Sequence, residues 1–259
     1  MKGIILLIHG LRGDRHGLSE LGDELKKRGY HVLNPNLPGS GDAEALSNKT
    51  LAGYATWLHE YVRKHDVKPY IIGHSMGSII VTHYLEKYPK DVQQKVVAIS
   101  PIFRTRIQQK SSNLTYALAS GALNSLPKST RYKIMKSRRT SYVISHYLTT
   151  DKKQQKRIDQ LHYMYSGNFA STDSLLADMR ISMKEQTITP IGKEMLYIIG
   201  DHDRLTKSEL ARYRAAAQGA RIIEIRGAGH LVNYEQPEKL AEVIDEYLDM
   251  MPDDSENEG

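Results

Sequence analysis

Gly73-His74-Ser75-Met76-Gly77 sets a serine between two glycines, the spacing of a sharp strand-to-helix turn that carries a hydroxyl at its tip. Small residues are needed on both sides because a side chain at Gly73 or Gly77 would meet neighbouring backbone, and the serine between them takes up the strain. Serine attacks only when a base removes its proton, and histidine has the pKa for that task. Position selects among the eleven histidines. His230 follows Gly227-Ala228-Gly229, just after the last apolar run and before the last helical pattern, so it belongs on the same edge as Ser75. His59, His65, His83, His146 and His162 fall on helical faces and read as solvated or packed, and His74 is expected to point away from the serine. Gly200-Asp201-His202-Asp203, after the fifth apolar run, offers two carboxylates to orient the base, with His202 a bystander.

A serine that attacks an acyl carbon also needs donors for the oxyanion that forms. The Met76 N–H, at the start of the helix after the serine, is one. The other is expected from His9-Gly10-Leu11-Arg12-Gly13, where the Leu11 N–H follows a glycine, Gly10, that lets backbone approach. A main-chain donor explains why the side chain of Leu11 is apolar.

Elements of two kinds must carry these residues. Short β-branched runs at Gly3 to Ile8, His31 to Asn34, Pro69 to Ile72, Lys95 to Ile99, Met195 to Ile199 and Arg221 to Ile225 read as buried strands. Helical patterns fill Leu18 to Arg28, Leu51 to His65, Met76 to Tyr88, Lys207 to Ala217 and Pro237 to Met250. Alternation of this kind gives a parallel sheet covered on both faces, with the loops after its strands along one edge. It breaks once, between Pro101 and Pro190, where the patterns are helical only: Leu114 to Leu126, Ser129 to Tyr147, Asp151 to Tyr165 and Ser171 to Lys184, punctuated by Gly121, Pro127 and Gly167. The expected organisation is a core of residues 1–101 and 190–251, a helical cap or lid over 102–189, and a disordered acidic tail over 252–259.

The 259 residues suffice for a full core, and the chain contains no cysteine. Disulfides, thiol nucleophiles and thiolate metal sites are thereby excluded, and a reducing, cytoplasmic setting is expected. No apolar stretch approaches the roughly 20 residues that span a bilayer. The net charge of +6 is uneven: 15 Lys plus Arg against 5 Asp plus Glu lie between Arg104 and Glu185. Those charges recur at helical spacing without a nucleic-acid-binding motif, so a solvated face is expected, with at most weak contact to an anionic surface, and no nucleic-acid partner.

Taken together, His9-Gly10, Leu37-Pro38-Gly39-Ser40-Gly41, Gly73 to Gly77, Gly200 to Asp203 and Gly229-His230 resemble the α/β-hydrolase superfamily, in particular its lid-bearing esterases and monoacylglycerol-lipase-like members. The resemblance covers nearly the whole core and leaves the lid unmatched. It implies an α/β-hydrolase fold with a six-stranded parallel sheet, lacking the two N-terminal strands of larger relatives, and an all-helical lid after the fourth strand. It implies Asp203, not Asp201, as the acid and Leu11 as the oxyanion donor. Asn36 stands where many relatives have Asp, and Ser78 where a further glycine is common. The implied activity is a serine carboxylic-ester hydrolase on small to medium acyl esters, with no metal or organic cofactor. A lactonase, an aminopeptidase or a C–C bond hydrolase is built on the same triad, and a non-enzymatic ligand-binding protein on the same fold. Tyr116, Tyr132, Tyr142, Tyr147, Tyr163 and Tyr165 with Met135, Met164, Met179 and Met183 either line an acyl pocket or form the lid's own core.

Overall fold

The computed structural model describes residues 1–103, 106–183 and 192–250. Its core alternates strand and helix: β1 (Gly3–Ile8), α1 (Ser19–Lys27), β2 (Tyr30–Leu33), α2 (Leu51–Lys64), β3 (Tyr70–His74), α3 (Met76–Lys87) and β4 (Lys95–Ile99). The helices α4 (Arg106–Asn124), α5 (Lys128–Lys136), α6 (Arg138–Leu148), α7 (Gln155–Tyr165) and α8 (Thr172–Ser182) follow. The core then resumes with β5 (Glu194–Gly200), α9 (Ser208–Ala217), β6 (Arg221–Ile225), α10 (Val232–Glu235) and α11 (Pro237–Asp249).

The strands form one six-stranded sheet in the order β2-β1-β3-β4-β5-β6, every neighbouring pair parallel. Period-two alternation divides the core between its faces. Leu6, Ile8, Ile71, Val96, Ala98, Tyr197 and Ile199 pack toward α2, α3 and α9 through Tyr54, Leu58, Ile80, Tyr84 and Ala215. Ile5, Leu7, Ile72, Val97, Ile99, Leu196 and Ile198 pack toward α1 and α11 through Leu21, Leu25, Leu240, Ala241 and Ile244. Both faces are covered, so the central strands are apolar along most of their length, with polar residues such as His74, Lys95 and Glu194 only at their ends, as in other parallel sheets.

Strand order reverses direction between β1 and β3, and the crevice beyond their carboxyl ends is where such sheets hold ligands. The loops carrying Leu11 and Ser75 leave the sheet there. Main-chain hydrogen bonds stitch the helical insert to the same edge: the amides of Gly167, Ala170 and His230 donate to the carbonyls of Arg12 (2.7 Å), Gly39 (2.9 Å) and Leu148 (2.7 Å).

One expected insert helix is two. Ser129 to Tyr147 is broken at Ser137, whose extended backbone ends α5 and whose hydroxyl accepts from the Thr140 N–H at 3.2 Å to cap α6. The acidic tail and the boundary placed at residues 189 and 190 lie outside the described residues. Among the described residues no helix is long and apolar enough to cross a membrane.

Candidate active site

The turn after β3 is as tight as its glycines suggest. Ser75 has φ of 53° and ψ of −118°, a conformation L-residues rarely occupy, held by its amide donating to the Ile99 carbonyl at 2.9 Å. A Cβ on Gly73 would lie 2.7 Å from the Ser78 Cα, and one on Gly77 would run into the Ile8 carbonyl oxygen. At Gly10 a Cβ would come within 3.0 Å of the Ser75 Cβ. The strained serine is therefore wedged between β1 and α3 and has little freedom to relax.

Its hydroxyl meets His230. The His230 Nε2 lies 2.9 Å from the Ser75 Oγ, and the His230 Nδ1 lies 2.8 Å from the Asp203 Oδ2, all three groups buried. Asp203 is fixed in turn by the amides of Leu205 (2.8 Å) and Thr206 (3.0 Å), which donate to its Oδ1. Asp201, the other carboxylate on this loop, instead accepts from the Gly227 N–H at 2.7 Å and braces the turn after β6. In the tautomer with Nδ1–H donating to Asp203, the His230 Nε2 lone pair faces the serine, so the chain can move a proton off the hydroxyl.

Met76 follows the serine at the start of α3, and Leu11 lines the same cavity as Ser75. Among the described residues neither the Leu11 N–H nor, outside its own helix, the Met76 N–H finds an acceptor. His9 holds the Leu11 loop: its Nδ1–H donates to the Gly10 carbonyl at 2.9 Å, and its Nε2 accepts from the Leu37 N–H at 3.0 Å. Burial pushes the His9 imidazole down to about 4, which keeps it neutral and able to do both. His9 and Leu37 lie 28 residues apart, and nothing local in the chain links them. His74 does not point clear of the site: it lines the same cavity, its ring centroid is 5.6 Å from that of His230, and its Nε2 lies 3.3 Å from the His230 carbonyl. Burial pushes it down to about 3.

The cavity over Ser75 measures about 280 Å³. Its floor is Gly10, Leu11, Ser75 and His230, and its roof is Met135, Ile144, Leu148, Met179 and Met183 from the insert. Three of the four methionines considered for an acyl pocket therefore line it, while none of the six insert tyrosines does. Tyr142, Tyr147 and Tyr163 are exposed instead. His162, read as a surface or packing residue, is buried and forms part of the wall.

Sequence reading also missed Glu235. Buried to 2 % exposure, its Oε2 accepts from the Gly229 N–H at 2.7 Å and its Oε1 from the amides of Thr150 (2.6 Å) and Asp151 (3.0 Å). It ties the His230 loop to the end of α6. Among the described residues no cluster of three His, Asp or Glu side chains is grouped to hold a metal ion.

The model of the family described as Alpha/beta hydrolase family matches residues 5–243. Lipase 3 of Moraxella sp. (strain TA144) is 34% identical over 96 residues, a match spanning 34% of this chain and 29% of that lipase. A protein named as a non-heme chloroperoxidase from Synechocystis sp. is 24% identical over 265 residues, 94% of this chain and 90% of its own. Among solved structures, an esterase from Exiguobacterium antarcticum superposes with a TM-score of 0.73 at 14% identity, covering 96% of this chain and 92% of that one. At that identity the likeness is one of fold.

Proposed function

Because this chain belongs to the alpha/beta hydrolase family, we propose that it is a serine carboxylic-ester hydrolase acting on small to medium acyl esters through an acyl-Ser75 intermediate. The observation that carries the reading is the unbroken hydrogen-bond chain from Asp203 through His230 to Ser75, opening into a largely apolar cavity. As the Ser75 Oγ attacks the ester carbon, its proton passes to the His230 Nε2, and Asp203 stabilises the imidazolium. The oxyanion takes the Leu11 and Met76 N–H groups. Collapse breaks the bond to the alcohol oxygen, which leaves with the proton from His230. Water, deprotonated by the same nitrogen, then attacks the acyl carbon and frees the acid, and Ser75 regains its proton. Residues 102–189 act as the cap that selects what enters.

The lipase and esterase names of the relatives support an ester substrate. The chain's lack of cysteine supports a reducing, cytoplasmic setting. A fluorophosphonate is expected to label the chain stoichiometrically, and Ser75→Ala to abolish labelling; an unlabelled wild type removes the reading. A panel of p-nitrophenyl esters, lactones and aminoacyl amides separates the esterase from the lactonase, aminopeptidase and C–C hydrolase readings. A peroxide and halide arm checks the chemistry named for the Synechocystis relative. Saturable binding without any turnover would mark a ligand-binding protein.

A further inference from the structure

The cavity over Ser75 has one cationic end. Arg12, next to the Leu11 donor, lines it at 8 % exposure, in the left-handed backbone region with φ of 64°. One guanidinium nitrogen, Nη2, donates to the Met135 carbonyl of α5 at 2.9 Å. The other two, Nε and Nη1, are buried and have no acceptor. Burial pulls the guanidinium down only to about 10, with no carboxylate to counter it, so the group stays charged at neutral pH. Besides the Met135 carbonyl the guanidinium meets the Phe169 ring, 5.9 Å from its Cζ, and a buried cation without a counter-ion is costly.

The wall around Arg12 limits which counter-ion fits. Asp14 lines the same cavity, but its oxygens are taken by the His16 amide at 2.8 Å and the Asn168 side-chain amide at 2.7 Å. The His162 Nδ1 is shared by the hydroxyls of Ser141 (2.7 Å) and Ser166 (3.1 Å). Burial, reinforced by the Arg12 charge, pushes that imidazole down to about 4 and leaves it neutral. One positive charge beside one occupied carboxylate matches a monoanion better than a phosphate dianion, and a planar carboxylate suits a planar guanidinium. We propose that Arg12 binds a carboxylate of the substrate, so that the ester cleaved at Ser75 is an acidic one, such as a monoester of a dicarboxylic acid. The proposal rests on Ser75 being the nucleophile.

The test compares matched pairs: p-nitrophenyl monoadipate with p-nitrophenyl hexanoate, carrying the charge on the acyl side, and 4-carboxyphenyl acetate with phenyl acetate, carrying it on the alcohol side. In one arm or the other, the wild type is expected to favour the acidic ester in kcat/KM by about tenfold or more, chiefly through KM, the range of a charge-assisted hydrogen bond. Arg12→Met is expected to erase the preference and Arg12→Lys to keep part of it. Independently of turnover, monomethyl adipate should raise the Tm of the Ser75→Ala protein and not that of the Ser75→Ala, Arg12→Met protein. A wild type without acid preference in either arm overturns the proposal. So does an Arg12→Met protein that loses both esters equally, since Arg12 then only anchors Met135. If Arg12→Met fails to fold, the wild-type ratio and the Arg12→Lys protein decide. A chain that labels with fluorophosphonate yet shows no acid preference sinks this inference alone, whereas one that does not label sinks the esterase reading beneath it.

Discussion

The carboxyl edge of the sheet and the helical insert above it are held by different means. At the edge, backbone presses on backbone: Gly77 lies against the Ile8 carbonyl, Gly73 against α3, and Gly200 against the Ala228 carbonyl, each without room for a methyl group. The insert is attached by main-chain hydrogen bonds at Gly167, Ala170 and Leu148, by the Glu235 carboxylate, by the buried pair of Asp178 with Lys49, and by side-chain packing of Ile158 on Leu231 and Tyr234 and of Ile181 on the core, and it leaves Leu114 and Leu118 in solvent. Steric locking holds the turn that carries Ser75, where neither Gly73 nor Gly77 has room for a side chain. Side-chain contacts of this kind can be exchanged singly, whereas a close approach of two backbones cannot.

That contrast makes three demands that experiment can check. The largest effect is expected at the edge: Asp203→Asn should leave the fold intact and lower turnover by roughly ten-thousandfold, as loss of the orienting acid does in serine proteases. Asp201→Asn, which touches only a turn amide, should cost no more than a few-fold. Steady-state kinetics on one p-nitrophenyl ester checks both, and the reverse ranking would reassign the acid. Next comes the joint between the two regions. Glu235→Ala strands three amide donors in a buried site and should cost about 2 to 3 kcal/mol by urea unfolding, with turnover falling as the His230 loop loosens. Glu235→Gln, which keeps one carbonyl acceptor, should lose less; equal stability in all three proteins would mean the joint carries no weight.

The smallest effect is spread over pH. His9 and His74 at the edge and His162 in the insert are pushed down to about 4, 3 and 4 by burial. Each therefore binds a proton more readily unfolded than folded. Stability from these groups is complete above pH 6.5 or so and declines as pH falls toward the folded values, by about 1 kcal/mol per histidine between pH 6.5 and 5.5. His162→Gln should flatten the decline by about a third without altering the sheet; an unchanged slope would show that the insert histidine does not couple to folding.

Where local pattern decides structure, the sequence is readable. The six apolar runs became strands within about two residues, because β-branched stretches between turn residues admit little else. Ser75, Asp203 and His230 were legible for the same reason: each follows a strand, and strand ends share an edge. The break at Ser137 was written in the chain as Ser137 followed by Thr140, but neither Gly nor Pro marks it. Arg12, His162 and Glu235 carry no local signature. Their burial depends on where the insert settles on the core, and helical periodicity within the insert says nothing about that. The same holds for the methionines and tyrosines, whose split between roof and surface follows from helix orientation and not from composition.

The Glu235 carboxylate also constrains how the cap can be exchanged. It receives amides from Thr150 and Asp151 on one oxygen and from Gly229 on the other, so the stretch at the end of α6 is a socket shaped for the core. A chimera carrying a different cap would keep a working imidazole only if its own chain restored two main-chain donors at that point. Descent with altered selectivity is thereby channelled: the few residues after α6 must be inherited together with Glu235.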